Sequence, residues 1–147
     1  SAQKWLAKAL EVGLIPNIIT YNTVIAACAK TGDLRSAQKW LAAALEVGLI
    51  PDIITYNTVI AACAKLGDLR SAQKWLAKAL EVGLIPDIIT YNSVIAACAK
   101  TGKFQSAQKW LAKALEVGLI PNIITYDTVI AACAKTGKFQ SAQKWLA

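Results

Sequence analysis

The chain is one segment written several times over. Ser1, Ser36, Ser71, Ser106 and Ser141 each open the same Ser-Ala-Gln-Lys-Trp-Leu-Ala run, which sets a period of 35 residues. The unit can be taken from Ile18 to Asp52, IITYNTVIAACAKTGDLRSAQKWLAAALEVGLIPD. A period of this length is the mark of a solenoid, in which each unit buries its apolar faces only against its neighbours. The predicted organisation is one repeat domain over residues 1–147. Residues 1–17 are the second helix of a partial repeat, 18–52, 53–87 and 88–122 are full repeats, and 123–147 are a truncated one.

Composition agrees: 56% of the 147 residues are hydrophobic, enough for a continuous core. The longest uncharged stretch, Val12 to Ala29, reaches membrane-span length, but it contains Gly13, Pro16, Asn17 and Asn22, and its copies carry Asp52 or Asp87. That argues against a span and against a membrane partner. Cys28, Cys63, Cys98 and Cys133 occupy one place in successive copies. Equivalent atoms of stacked repeats stand roughly 10 Å apart, whereas a disulfide needs Cα atoms within about 7 Å. With no histidine and no Cys-x-x-Cys pair, a zinc site is not indicated, so these are read as core thiols. The formal charge of +7 rises along the full repeats, from 0 in residues 18–52 to +1 in 53–87 and +3 in 88–122. This bias permits an anionic partner without requiring one.

Each unit contains two helical patterns. The first is expected from about Thr20 to Lys30, stopping at Thr31-Gly32, and the second from near Asp33 to about Val47, stopping at Gly48. Leu-Ile-Pro-Asp then forms an extended connector, because the residue before a proline disfavours helix. Such short connections force the helices into antiparallel hairpins. The predicted fold class is therefore all-α, a solenoid of stacked hairpins.

In the second helix Ala37, Trp40, Leu41, Ala44 and Leu45 form one apolar stripe, with Lys39 and Glu46 outside it. The recurring Trp5, Trp40, Trp75, Trp110 and Trp145 could offer a stacking platform for bases, but the spacing favours packing between hairpins. In the first helix Tyr21, Val24, Ile25 and Cys28 cluster on a packing side, while Ile19, Asn22, Ala26 and Lys30 share another. An aliphatic residue, an amide, an alanine and a lysine suit a surface that lines a ligand. They also suit a bland surface, with the amide bonded locally and the lysine solubilising the helix end. Stacking aligns these groups into ladders, Asn22, Asn57, Asn92 and Asp127 in one and Lys30, Lys65, Lys100 and Lys135 in another.

Differences between copies narrow the choice. Thr31 against Leu66, Asp33-Leu34-Arg35 against Lys103-Phe104-Gln105, and Ala43 against Lys78 read as surface adjustment. The Asn22 ladder and the closing residues Asn17, Asp52, Asp87 and Asn122 switch only between amide and carboxylate. These groups share a shape and differ in hydrogen-bond polarity, as recognition of a base edge requires.

At these residues the chain resembles the pentatricopeptide repeat (PPR) family. Its ITYNTVI opening, ACAKTG turn and GLIPD ending match that family's motif in order and spacing, whereas the related tetratricopeptide repeat has a 34-residue period and a Trp-Leu-Gly-Tyr signature. The resemblance implies a superhelix that binds single-stranded RNA, one nucleotide per repeat. It implies base-reading pairs Asn22/Asp52 and Asn57/Asp87 for uridine and Asn92/Asn122 for a pyrimidine, favouring cytidine. Asn17 would be half of an incomplete pair, and Asp127 a departure with undefined preference. Ile19, Ile54, Ile89 and Ile124 would sandwich bases, and Lys30, Lys65, Lys100 and Lys135 would touch phosphates. The uniformity of the copies is that of a consensus-type array. Its uncapped ends imply either a window cut from a longer array or end-to-end self-association. No targeting segment is visible, and the resemblance points to an organelle for a natural member.

No catalytic constellation is present: histidine and a phosphate-binding glycine loop are both missing, and Glu46, Glu81 and Glu116 read as solvated-face charges. No cofactor is called for. The competing reading is a helical scaffold that holds a protein or peptide in its concave groove, and the amide-or-acid switching is what such binding leaves unexplained.

Overall fold

The computed structural model describes residues 2–14 and 16–135, without the side chains of Cys133 and Lys135. The expected second helix of the truncated repeat, with Trp145, lies outside the described residues. Within them the chain is a succession of helices: α1 (Ala2–Glu11), α2 (Ile18–Lys30), α3 (Leu34–Glu46), α4 (Ile53–Lys65), α5 (Leu69–Glu81), α6 (Ile88–Lys100), α7 (Phe104–Glu116) and α8 (Ile123–Lys135).

The first helices begin two residues earlier than the apolar pattern predicts, because the closing residue of one repeat caps the first helix of the next. Asn17, Asp52 and Asp87 are in extended backbone geometry, and each side chain accepts the amide N–H three residues on, from Thr20, Thr55 and Thr90. The stop falls where expected. Gly32 takes φ +79°, and the Asp33 amide donates back to the Cys28 carbonyl at 2.9 Å, closing the left-handed turn that ends many helices. Gly48, at φ +85°, ends α3 in the same way, with the Leu49 amide on the Ala44 carbonyl at 3.0 Å.

Second helices are capped by Asp33 and Asp68, which accept the Ser36 and Ser71 amides at 3.1 and 3.0 Å. At α7 the equivalent residue is Lys103, which makes no such bond. The Asp33/Lys103 difference is thus more than the surface adjustment expected from sequence.

The core runs the length of the stack. Tyr21, Val24, Ile25 and Cys28 of α2 meet Ala37, Trp40, Leu41 and Ala44 of α3, all buried, and the two later hairpins repeat the arrangement except that Trp110 is half-buried. Burying a leucine such as Leu41 contributes about 1.5–3 kcal/mol. Leu45 at the end of the stripe is only half-buried, and its copies Leu80 and Leu115 are exposed. Trp40 and Trp75 pack between hairpins, as their spacing predicted, and Trp110 is half-buried, but Trp5 on α1 is exposed. Trp40 lies 6.3 Å from the Tyr21 ring and donates its indole N–H to Gln3 of the preceding second helix at 3.0 Å. Trp75 does the same with Tyr56 and with Gln38, at 2.7 Å. Cys28, Cys63 and Cys98 are free and buried. Burial, with Asp68 nearby, pushes the Cys63 thiol up to about 12, and burial raises Cys98 to about 11, so both stay protonated at neutral pH.

Successive first helices pack directly on one another, α2 on α4, α4 on α6 and α6 on α8. Second helices pack on the first helix of the next repeat, as α3 does on α4 and α5 on α6, while among the described residues second helices reach one another through side chains such as Trp75 and Gln38, without close backbone approach. The first helices therefore form the tighter, inner wall and the second helices the splayed, outer one. Among the described residues no helix is long and apolar enough to cross a membrane.

Candidate nucleic-acid interface

The inner wall carries the side chains that the ladders predicted. Ile19, Ile54, Ile89 and Ile124 stand out from it, 69%, 69%, 58% and 62% exposed. Between neighbouring isoleucines lie clefts. One, of about 310 Å³, is bounded by Ile19, Asn22, Ala26, Ile54, Thr55 and Thr58. Another, of about 520 Å³, is bounded by Ile89, Asn92, Ala96, Lys100, Asn122 and Ile124.

The structure brings the predicted pairs together across the repeat boundary, with Asn22 lining the first cleft and Asn92 and Asn122 the second. Asn57 Nδ2 donates to Asp87 Oδ1 at 3.3 Å, and Asn92 Nδ2 to Asn122 Oδ1 at 3.4 Å. Asn22 and Asp52 are joined through Thr55, whose Oγ1 lies 2.6 Å from Asn22 Oδ1 and 3.3 Å from Asp52 Oδ1. Asn22 thus bonds to the next repeat and not to its own helix start. The paired residues are partly open to the cleft: Asn22, Asn57, Asn92 and Asp87 are half-buried, while Asp52 and Asn122 are exposed. Asn17 caps α2 at the edge of the array, and Asp127 is exposed on α8.

Two features escaped sequence reasoning. The closing residues are helix caps, a job that asparagine and aspartate do equally well, so capping permits the alternation, although it would accept serine too. The signal was there to read, an Asn or Asp three residues before threonine at the head of an apolar run. The second feature is the threonine itself, whose hydroxyl reaches the ladder asparagine of the preceding repeat.

The lysine ladder lies at the C-terminal ends of the first helices, with Lys30, Lys65 and Lys100 exposed. Lys100 Nζ donates to the Lys65 carbonyl, capping α4 with the charge that a helix C-terminus favours. The Lys135 side chain lies outside the described residues. Among the described residues no cluster of His, Cys, Asp and Glu could hold a metal ion.

Sequence comparison decides the family. A PPR repeat family model matches residues 16–65, 51–100 and 86–135, and a PPR repeat model matches residues 124–147. The chain belongs to the PPR repeat family. No curated protein matches its sequence. Among solved structures it is similar to the PPR protein PPR10 from maize, with 26% identity and a TM-score of 0.87 over 97% of this chain and 20% of PPR10. It is also similar to PPR10 in complex with an 18-nt psaJ RNA element, with 26% identity and a TM-score of 0.77 over 98% of this chain and 21% of that one. The PPR domain of Arabidopsis thaliana protein-only RNase P 1 in complex with tRNA shares the fold, at 15% identity and a TM-score of 0.86 over 99% of this chain and 77% of that one. The chain thus spans about a fifth of PPR10's length.

Proposed function

We propose that this PPR array binds single-stranded RNA along its inner wall, one nucleotide per repeat, with the order U-U-C/U over the three full repeats. The observation that carries this is the Asn57–Asp87 contact across a repeat boundary, whose counterpart Asn92–Asn122 lines an inner-wall cleft. The RNA-bound PPR10 structure supports the ligand class.

Hydrogen-bond polarity gives the letters a physical basis. Asp87 Oδ1 is occupied by the Thr90 amide at 3.1 Å and by Asn57 Nδ2 at 3.3 Å, which leaves Oδ2 to accept. Uracil offers an N3–H there. Asn122 Oδ1 is likewise occupied, by the Thr125 amide at 3.1 Å and Asn92 Nδ2 at 3.4 Å, and its remaining group is an N–H₂ that donates. Cytosine offers N3 as an acceptor. In both pairs the ladder asparagine keeps a second amide hydrogen for a pyrimidine carbonyl. The flanking isoleucines supply flat apolar walls for the ring, and the lysines supply attraction to phosphate that carries no sequence information.

A peptide in the same groove would gain from the isoleucines but would not need the amide-or-acid alternation. The test is binding of fluorescent single-stranded RNA containing UUC against UUA, poly-A and matched DNA. Tightest binding to UUC is expected. Equal or absent binding to all four sinks the proposal.

A further inference from the structure

In every described first-helix junction one threonine bridges two repeats. Thr55, Thr90 and Thr125 are the buried polar side chains among the described residues, at 2%, 0% and 0% exposure. Each donates its hydroxyl to the amide oxygen of the ladder asparagine in the preceding repeat: Thr55 to Asn22 at 2.6 Å, Thr90 to Asn57 at 2.5 Å, and Thr125 to Asn92. Thr90 and Thr125 also accept the backbone N–H of the capping residue, Asp87 or Asn122, at 3.2 Å.

We infer that these threonines are positioning residues for base recognition, each setting the orientation of the asparagine one repeat upstream. The inference rests on the RNA-binding reading above. An asparagine amide can present either its oxygen or its nitrogen to a cleft, and a base edge distinguishes the two. A hydroxyl has a single proton, and at Thr90 the nearest acceptor is Asn57 Oδ1, at 2.5 Å against 3.1 Å for Asp87 Oδ1. With its oxygen held by Thr90, Asn57 must turn its N–H₂ toward Asp87 and the cleft. The reverse orientation would set the amide oxygen against a carboxylate that only accepts, and leave the buried hydroxyl without its closest acceptor. The recognition unit is then three residues drawn from two repeats, and a repeat's letter depends on the threonine that follows it.

The experiment compares Thr90→Val, which keeps the shape and removes the hydroxyl, with Thr90→Ser, which restores it. Uridine preference is measured at each of three positions by single-nucleotide changes in the RNA. Thr90→Val should lower uridine preference severalfold at the nucleotide read by Asn57 and Asp87 and leave the other two unchanged, with Thr90→Ser near the unmodified chain. A loss of stability alone would weaken binding to every RNA equally and would not move one position. Full preference retained in Thr90→Val overturns the inference and leaves the reading of the wall intact. No preference at any position in the unmodified chain overturns both. If Thr90→Val does not fold, ¹⁵N relaxation of the unmodified chain decides. An Asn57 side-chain nitrogen as rigid as the backbone supports the inference, and a freely reorienting one overturns it.

Discussion

The two walls of the solenoid solve the same stacking problem with opposite chemistry. Along the outer wall, neighbouring repeats meet through Trp75 and Gln38, a large ring sealed over the core and tied by one hydrogen bond. Along the inner wall they meet through Asn57, Thr90 and Asp87, a polar network in which Asn57 and Asp87 stay partly open to solvent. A packed aromatic contributes stability and presents little to a ligand. A polar triad contributes modestly to stability, because its bonds replace bonds to water, but it fixes donors and acceptors in space. The difference teaches where a repeat protein can change its ligand without changing its fold.

Breaking the outer wall should produce the largest effect. Trp75→Ala is expected to cost about 3–5 kcal/mol, seen as a lower denaturant midpoint. An unchanged midpoint would mean that the outer contact is dispensable. Replacing Lys30, Lys65 and Lys100 together by glutamine should cost about 1–2 kcal/mol, because each cation lies at a helix C-terminus and Lys100 caps α4. It should flatten the log–log salt dependence of RNA binding by about 2, at roughly 0.7 per phosphate contact. An unaltered slope would remove the lysines from the inner wall's function. The smallest effect sharpens the comparison in the other direction. Lys103→Asp restores the cap that Asp33 and Asp68 provide and should stabilise the array by about 1 kcal/mol without altering base preference. A shift in preference would show that the walls are not independent.

Much of this was legible in the sequence because periodicity reports directly on faces. The 35-residue repeat, the glycine stops and the stripe through Trp40 and Leu41 gave the hairpins, and the separation of Ile19 and Asn22 from Tyr21 and Val24 gave the inner wall. What sequence could not give was contact between units. Thr55 reaching Asn22, or Gln3 reaching Trp40, depends on the angle and offset at which one hairpin sits on the next, and no pattern within a unit encodes that. The start of the first helix was missed for a related reason. The residue that caps it is the last of the preceding unit, so taking each repeat as a closed element hides it. The Asp33/Lys103 difference was underread because its effect is a single bond at a helix end.

The caps have a consequence for how such arrays diversify. Asp52 and Asn17 hold their helices by the same bond to the third amide, so exchanging oxygen for nitrogen at the far end of that side chain is close to silent for folding. If these residues read bases as proposed, a lineage or a designer can therefore rewrite what the groove accepts one position at a time, with every intermediate still able to fold.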